Sequence, residues 1–273
     1  GSRAFFGQAT TIPARRGIGE IGKLWLRWKG PLGLAWRQIQ KQSSQSVAVM
    51  PNISAIRSPS VQMFLRDSLF GLLARKIRGE GSEFEALPRI DRAVSAALLT
   101  AYITLKAGDR TSLFSFAAKP ELSTPFLSGS RNFFRLQQEA ATIDYRHQES
   151  NYTLALSSLQ NRLKRRSLII IFTDFTDPTA ADLMLEAAGR LIDKHLVLFV
   201  VLEDRELTSI IDQPPESAED VARAVTARNL LDQKKLVLTK LRHMGIDVIE
   251  GAHQDIGTRL INSYLNIKRR GAL

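Results

Sequence analysis

Two carboxylates and two hydroxyls stand close together in Thr173-Asp174-Phe175-Thr176-Asp177. Oxygen donors of this kind suit a hard cation such as Mg²⁺, which keeps several waters and takes few protein oxygens. Asp174 and Asp177 also form the sort of carboxylate pair that metal-dependent phosphoester hydrolysis uses, although no activating partner lies near them in sequence. The plainer alternative is that Asp177 or Thr179 caps the next helix. A second polar loop, Gln148-Glu149-Ser150-Asn151-Tyr152-Thr153, precedes a helix expected from residue 152. Ser150 there reads either as a cation ligand facing Asp174 or as that helix's N-cap.

The elements that must position these loops are legible from periodicity. Residues 168–172, Leu-Ile-Ile-Ile-Phe, and residues 196–202, Leu-Val-Leu-Phe-Val-Val-Leu, are continuous apolar runs too short for lone helices. Such runs read as strands buried on both faces of a sheet. Helices are expected over about residues 90–105, 131–142, 152–163, 180–195, 219–243 and 255–267, with further strands over 111–116 and 247–249. Strands alternating with helices from residue 88 onward predict a doubly wound, Rossmann-like parallel sheet. Ligands of such sheets sit at the carboxyl ends of the strands, and residues 173–177 lie at one of those ends.

The first part of the chain reads differently. Residues 9–36 keep a period of two through Leu24, Leu26 and Trp28 with glycine punctuation, and residues 47–50 form another short strand closed by Pro51. The expected organisation is a small β-rich domain over 1–60, a connecting segment with a helix over 61–87, and the α/β domain over 88–273. Trp25, Arg27, Trp28 and Arg37, with Lys29 and Trp36 among them, interleave aromatics with cations. That pattern suits stacking on bases, and hence a nucleic-acid binder, or a seat at a membrane surface. The competing expectation is that these tryptophans fill the core of the β domain while the cations face water. Gly17-Ile18-Gly19-Glu20-Ile21-Gly22 has the form of a dinucleotide fingerprint but lacks the strand before it and the helix after it that the fingerprint needs.

Composition narrows the chemistry. There is no cysteine, which removes disulfides, thiolate metal sites and cysteine nucleophiles. The net charge of +11 permits anionic partners, though much of it is spread along helices as a solvated surface. No apolar stretch approaches the roughly 18 residues of a bilayer span. The histidines at 147, 195, 243 and 253 show no ligand spacing, and His195 and His243 are expected at helix ends, where a cation suits the dipole.

Taken in order, Ala107-Gly108-Asp109-Arg110, Leu113-Phe114-Ser115-Phe116, Glu149-Ser150-Asn151, Leu156 and Ile170-Ile171-Phe172-Thr173-Asp174 resemble a von Willebrand factor A domain. Arg78-Gly79-Glu80-Gly81-Ser82-Glu83-Phe84 resembles the Arg-Gly-x-Gly-x-Glu-Phe hallmark of domain-of-unknown-function family 58. The segment from Arg16-Gly17 to Leu34 is similar to that family's β segment, with Gly30 where an acidic residue is usual. The resemblance implies a von Willebrand factor A-like doubly wound parallel sheet preceded by a small β-rich domain. The first A-domain strand and its metal-site loop, however, have no counterpart between Leu87 and Pro88. The resemblance further implies a non-enzymatic adaptor that works with a MoxR-type AAA+ ATPase to assemble or activate a client protein complex. It implies a metal-ion-dependent adhesion (MIDAS-like) site for Mg²⁺ with Asp174 at the later ligand position and Ser150 at the threonine position, and partner contacts through Asp174, Asp177 and Asn151. It places the chain in the bacterial cytoplasm, tethered to the inner membrane only through segments upstream of residue 1.

Overall fold

The structure, a computed structural model, describes residues 13, 16–30, 33–51, 89–144, 149–173 and 178–271. The expected helix and hallmark motif over 61–87 lie outside the described residues. What remains is a mixed α/β protein with a three-stranded parallel sheet and an N-terminal β-hairpin.

The hairpin consists of β1 (Gly17–Lys29) and β2 (Trp36–Val49), paired antiparallel from Gly17↔Val49 to Lys29↔Trp36 with a register shift between Ile21 and Lys23. The second strand is longer than the sequence suggests, because the polar stretch Gln38–Ser46 carries no apolar alternation to announce it. The turn closes with Gly33 at φ 68, a left-handed conformation that a β-carbon would disfavour. Expected core tryptophans are instead on the surface: Trp25, Trp28 and Trp36 are 57%, 45% and 54% exposed. A core needs a second layer, and no other described strand pairs with this ribbon.

Among the described residues, a buried ion pair helps tie the ribbon to the rest. Arg16, just before β1, donates from Nη1 to Asp91 Oδ1 and from Nη2 to the Ile143 carbonyl at 2.9 Å. Asp91 lies in the first turn of α1 (Arg89–Lys106), where a carboxylate also complements the helix dipole.

Helix α1 buries Val94, Leu98, Ala101 and Leu105, one stripe at helical spacing, against Leu127, Phe133 and Leu136. The expected strand over 111–116 is divided. Arg110–Thr111 (β3) pairs with Leu127–Ser128 (β6), and Phe114–Phe116 (β4) pairs with Pro120–Ser123 (β5). Thr124 sits between them, its hydroxyl accepting from Leu113 N at 2.8 Å. A 3-10 turn, Ser130–Asn132, leads into α2 (Phe133–Ala141), and α3 is Tyr152–Arg162.

The parallel sheet comprises β7 (Leu168–Thr173), β8 (Leu196–Leu202) and β9 (Asp247–Gly251) in that spatial order. The crossovers are α4 (Pro178–Ile192), then α5 (Arg205–Asp212) and α6 (Ala218–His243); α7 (His253–Arg269) closes the chain. Strand β8 is covered on both sides, as its unbroken apolar run requires. Val197, Phe199 and Val201 pack with Met184, Ala188 and Leu191 of α4 and Leu238 and Leu241 of α6. Leu198 and Val200 pack with Ala96 of α1 and Ile256 and Leu260 of α7. Burying one such side chain stabilises by roughly 1.5–3 kcal/mol. Strand β7 pairs only with β8 among the described residues, and β4 pairs with β5 in a separate sheet.

Helix α6 begins with a reciprocal capping box: Ser217 Oγ accepts from Asp220 N, and Asp220 Oδ2 accepts from Ser217 N. His243 ends that helix as expected. His195 also lies at a helix end, its backbone N–H donating to the Leu191 carbonyl in the last turn of α4 at 2.9 Å, but its side chain is buried at the foot of β8 with Nδ1 meeting no partner among the described residues. Burial and, secondarily, Lys194 hold its pKa below the ordinary value, which disfavours the cation expected there. No helix among the described residues is long and apolar enough to cross a membrane.

Candidate functional site

Three parallel strands end at one edge of the sheet, at Thr173, Leu202 and Gly251. At the first, Tyr152 Oη and Thr173 Oγ1 share a hydrogen bond of 2.5 Å, and the Tyr152 ring meets Phe116 edge-on at 5.5 Å between centroids. The start of α3 and the end of β7 are therefore neighbours, while the loop at Asp174 that the sequence sets opposite lies outside the described residues. The cap of α3 is not Ser150 but Asn151, whose Oδ1 accepts from Leu154 N at 3.0 Å. Asn151 also donates its backbone N–H to the Ala117 carbonyl at 2.9 Å, which moors the loop to the β4–β5 hairpin. Ser150 is half-buried in that loop. Asp174 and Asp177 lie outside the described residues.

The described donors here are the hydroxyls of Ser150, Tyr152 and Thr173 and a carboxamide already used as a cap. Among the described residues no group of three or more His, Asp or Glu could hold a metal ion. The carboxylates that the sequence assigns to this site, Asp174 and Asp177, would have to complete any octahedral oxygen set of the kind Mg²⁺ demands.

The ends of β8 and β9 build a second part of the edge, an open depression of about 550 Å³ lined by Glu203, Asp204, Asp212, Lys234 and Glu250 among others. Lys234 is only 5% exposed, and its Nζ donates to the Leu202 carbonyl, the last of β8, at 2.8 Å. Asp204 caps α5 by accepting from Leu207 N at 3.3 Å. Arg259 of α7 donates to the Glu250 carbonyl at 2.7 Å, and Arg242 approaches the Glu250 carboxylate at 3.8 Å. Exposed Glu203 and Asp212 stand with exposed Arg205 and Lys235 along this depression, so the edge offers both signs of charge to a polar partner.

Sequence reasoning passed over Lys234. A signal was present: it shares the buried stripe of α6 with Ala227, Val237, Leu238 and Leu241, at separations of seven, three, four and seven residues. A lysine on an apolar stripe must find an acceptor, and the end of β8 supplies one.

The four residues of the nucleic-acid reading do not converge. Successive side chains of a strand alternate between faces, so Trp25 and Arg27 share one face of the hairpin. Trp28 and its cross-strand partner Arg37 share the other. The guanidinium of Arg27 and the ammonium of Lys29 lie over the Trp36 ring, 4.7 Å and 5.2 Å from its centroid.

A family profile, described as a protein of unknown function, DUF58, matches residues 80–226, more than half of the chain. Searches among curated proteins and among solved structures find no match.

Proposed function

We propose that this chain, which belongs to the DUF58 family, is a non-enzymatic adaptor that docks another protein on the carboxyl edge of its parallel sheet. The partner in this reading is a MoxR-type AAA+ ATPase acting on a client complex at the cytoplasmic side of the bacterial inner membrane, as the motif resemblance implies. A parallel sheet with helices on both faces supports a von Willebrand factor A-like identity for the α/β unit. The observation that carries the reading is the gathering of polar groups along one edge. The Tyr152–Thr173 pair stands next in sequence to Asp174, and Glu203, Asp204 and Glu250 surround buried Lys234. Rigid strand ends hold these groups, so recognition costs little ordering.

Binding of the purified chain to such an ATPase, measured by biolayer interferometry, tests the proposal. Asp174→Ala and a Glu203→Ala/Glu250→Ala pair are each expected to weaken binding by about tenfold or more, the scale of a well-placed interface contact. Circular dichroism and Tm should stay at the parental values. Unchanged affinity in folded variants of both kinds refutes the docking edge.

A further inference from the structure

We infer that the distal half of the N-terminal hairpin is a docking surface for an anionic phospholipid bilayer. Its sequence parity separates two faces. Leu24, Leu26 and Trp28 alternate onto one face of β1, and Ile39, opposite Leu26, continues that face on β2. These four are 47%, 48%, 45% and 51% exposed, so they form a contiguous apolar stripe rather than scattered surface residues. Leu34, in the connecting turn, is 88% exposed and extends the apolar surface to the tip.

The charges specify the occupant. Residues 17–49 carry five cations, Lys23, Arg27, Lys29, Arg37 and Lys41, against a single carboxylate, Glu20. Arg37 and Lys41 lie opposite Trp28 and Leu24, on the apolar face itself. Long basic side chains beside an apolar stripe can reach lipid phosphates while the stripe enters the acyl boundary, and tryptophan favours that depth. A second copy of the hairpin on this face would set Arg37 and Lys41 against their own kind. A nucleic acid would use aromatic faces and cations but would leave the aliphatic stripe in water. The Trp36 ring, moreover, already carries Arg27 and Lys29 over it, which obstructs stacking of a base. Only an anionic surface with an apolar interior uses both features together.

The chain supplies its own reporter, because its three tryptophans are Trp25, Trp28 and Trp36, all on this hairpin. The full chain is titrated with vesicles of phosphatidylcholine and phosphatidylglycerol in a seven-to-three ratio (roughly the anionic content that recruits basic segments), following tryptophan emission and co-flotation. A blue shift and flotation are expected with these vesicles, and binding at least about tenfold weaker with pure phosphatidylcholine. Leu24→Thr/Leu26→Thr, which keeps strand propensity, should abolish the blue shift of the bound state. Arg37→Gln/Lys41→Gln should weaken partitioning by about tenfold or more. Vesicles that leave the emission unchanged overturn the proposal. So does equal binding by the Leu24→Thr/Leu26→Thr chain, or a response to single-stranded oligothymidylate alone.

Discussion

Removing Arg16 tests how the hairpin is held. The Arg16 and Asp91 side chains are 2% and 7% exposed, so their ion pair is desolvated at both ends. Arg16→Ala takes the guanidinium from a buried carboxylate and the second bond from the Ile143 carbonyl. Breaking a buried pair from one side costs about 3–5 kcal/mol, because the remaining charge stays out of water. For a chain of this size, each kcal/mol lowers Tm by about 2–4 °C, so a fall of about 10 °C is expected. The double change Arg16→Met/Asp91→Leu removes both charges and should recover most of the loss. Thermal unfolding followed by far-ultraviolet circular dichroism gives the global transition, and tryptophan emission reports the hairpin alone. If Arg16→Ala unfolds within about 2 °C of the parent, or the double variant is no better than the single, then the buried pair does not anchor the ribbon and the reasoning fails.

Burial holds the His195 pKa in the folded chain below its ordinary 6.5. The unfolded chain then binds more protons as pH falls below 6.5, so stability should decline from there downward; urea midpoints at pH 7.5 and 5.5 measure the decline, and His195→Leu should flatten it. Tyr264, 1% exposed, donates to Asp109 Oδ2, and Lys268 Nζ bonds both Asp109 oxygens at 2.9 Å. Burial first, and Asp109 second, raise the phenol above its usual 10, so stability is intact below that pH and lost above it, where the unfolded phenol ionises first. Tyr264→Phe should cost about 2 kcal/mol at neutral pH, the value of a bond to a charged acceptor, and remove that alkaline loss in guanidinium titrations. Phe199→Ala, at a fully buried position of β8, should cost about 3–5 kcal/mol in the same assay, and a loss under 1 kcal/mol would mean the site is not closely packed.

The local elements were legible because their cause is local. The apolar runs at 168–172 and 196–202 read as two-sided strands, and the structure buries β8 on both faces. Helical spacing placed α3, α4, α6 and α7 to within a few residues. Even the meeting of the start of α3, at Tyr152, with the end of β7 was consistent with the order of strands and helices.

Other features depended on partners remote in sequence. Whether Trp25, Trp28 and Trp36 are core or surface turns on a second layer that no alternation along one strand can report. Ser150 and Asn151 are both good caps by type, and only the backbone path at the helix start chose Asn151. The division of residues 110–116 between two small antiparallel ladders was set by Thr124 and by the strands at 120–123 and 127–128, not by the composition of the segment. The Arg16–Asp91 pair joins residues 75 apart, and Lys234 finds Leu202 across 32. The sequence by itself determined which segments bury apolar surface and with what period, because those are properties of neighbouring side chains. Only the tertiary structure decided which buried charge meets which acceptor and which face is left to water, because desolvation depends on everything packed around a group.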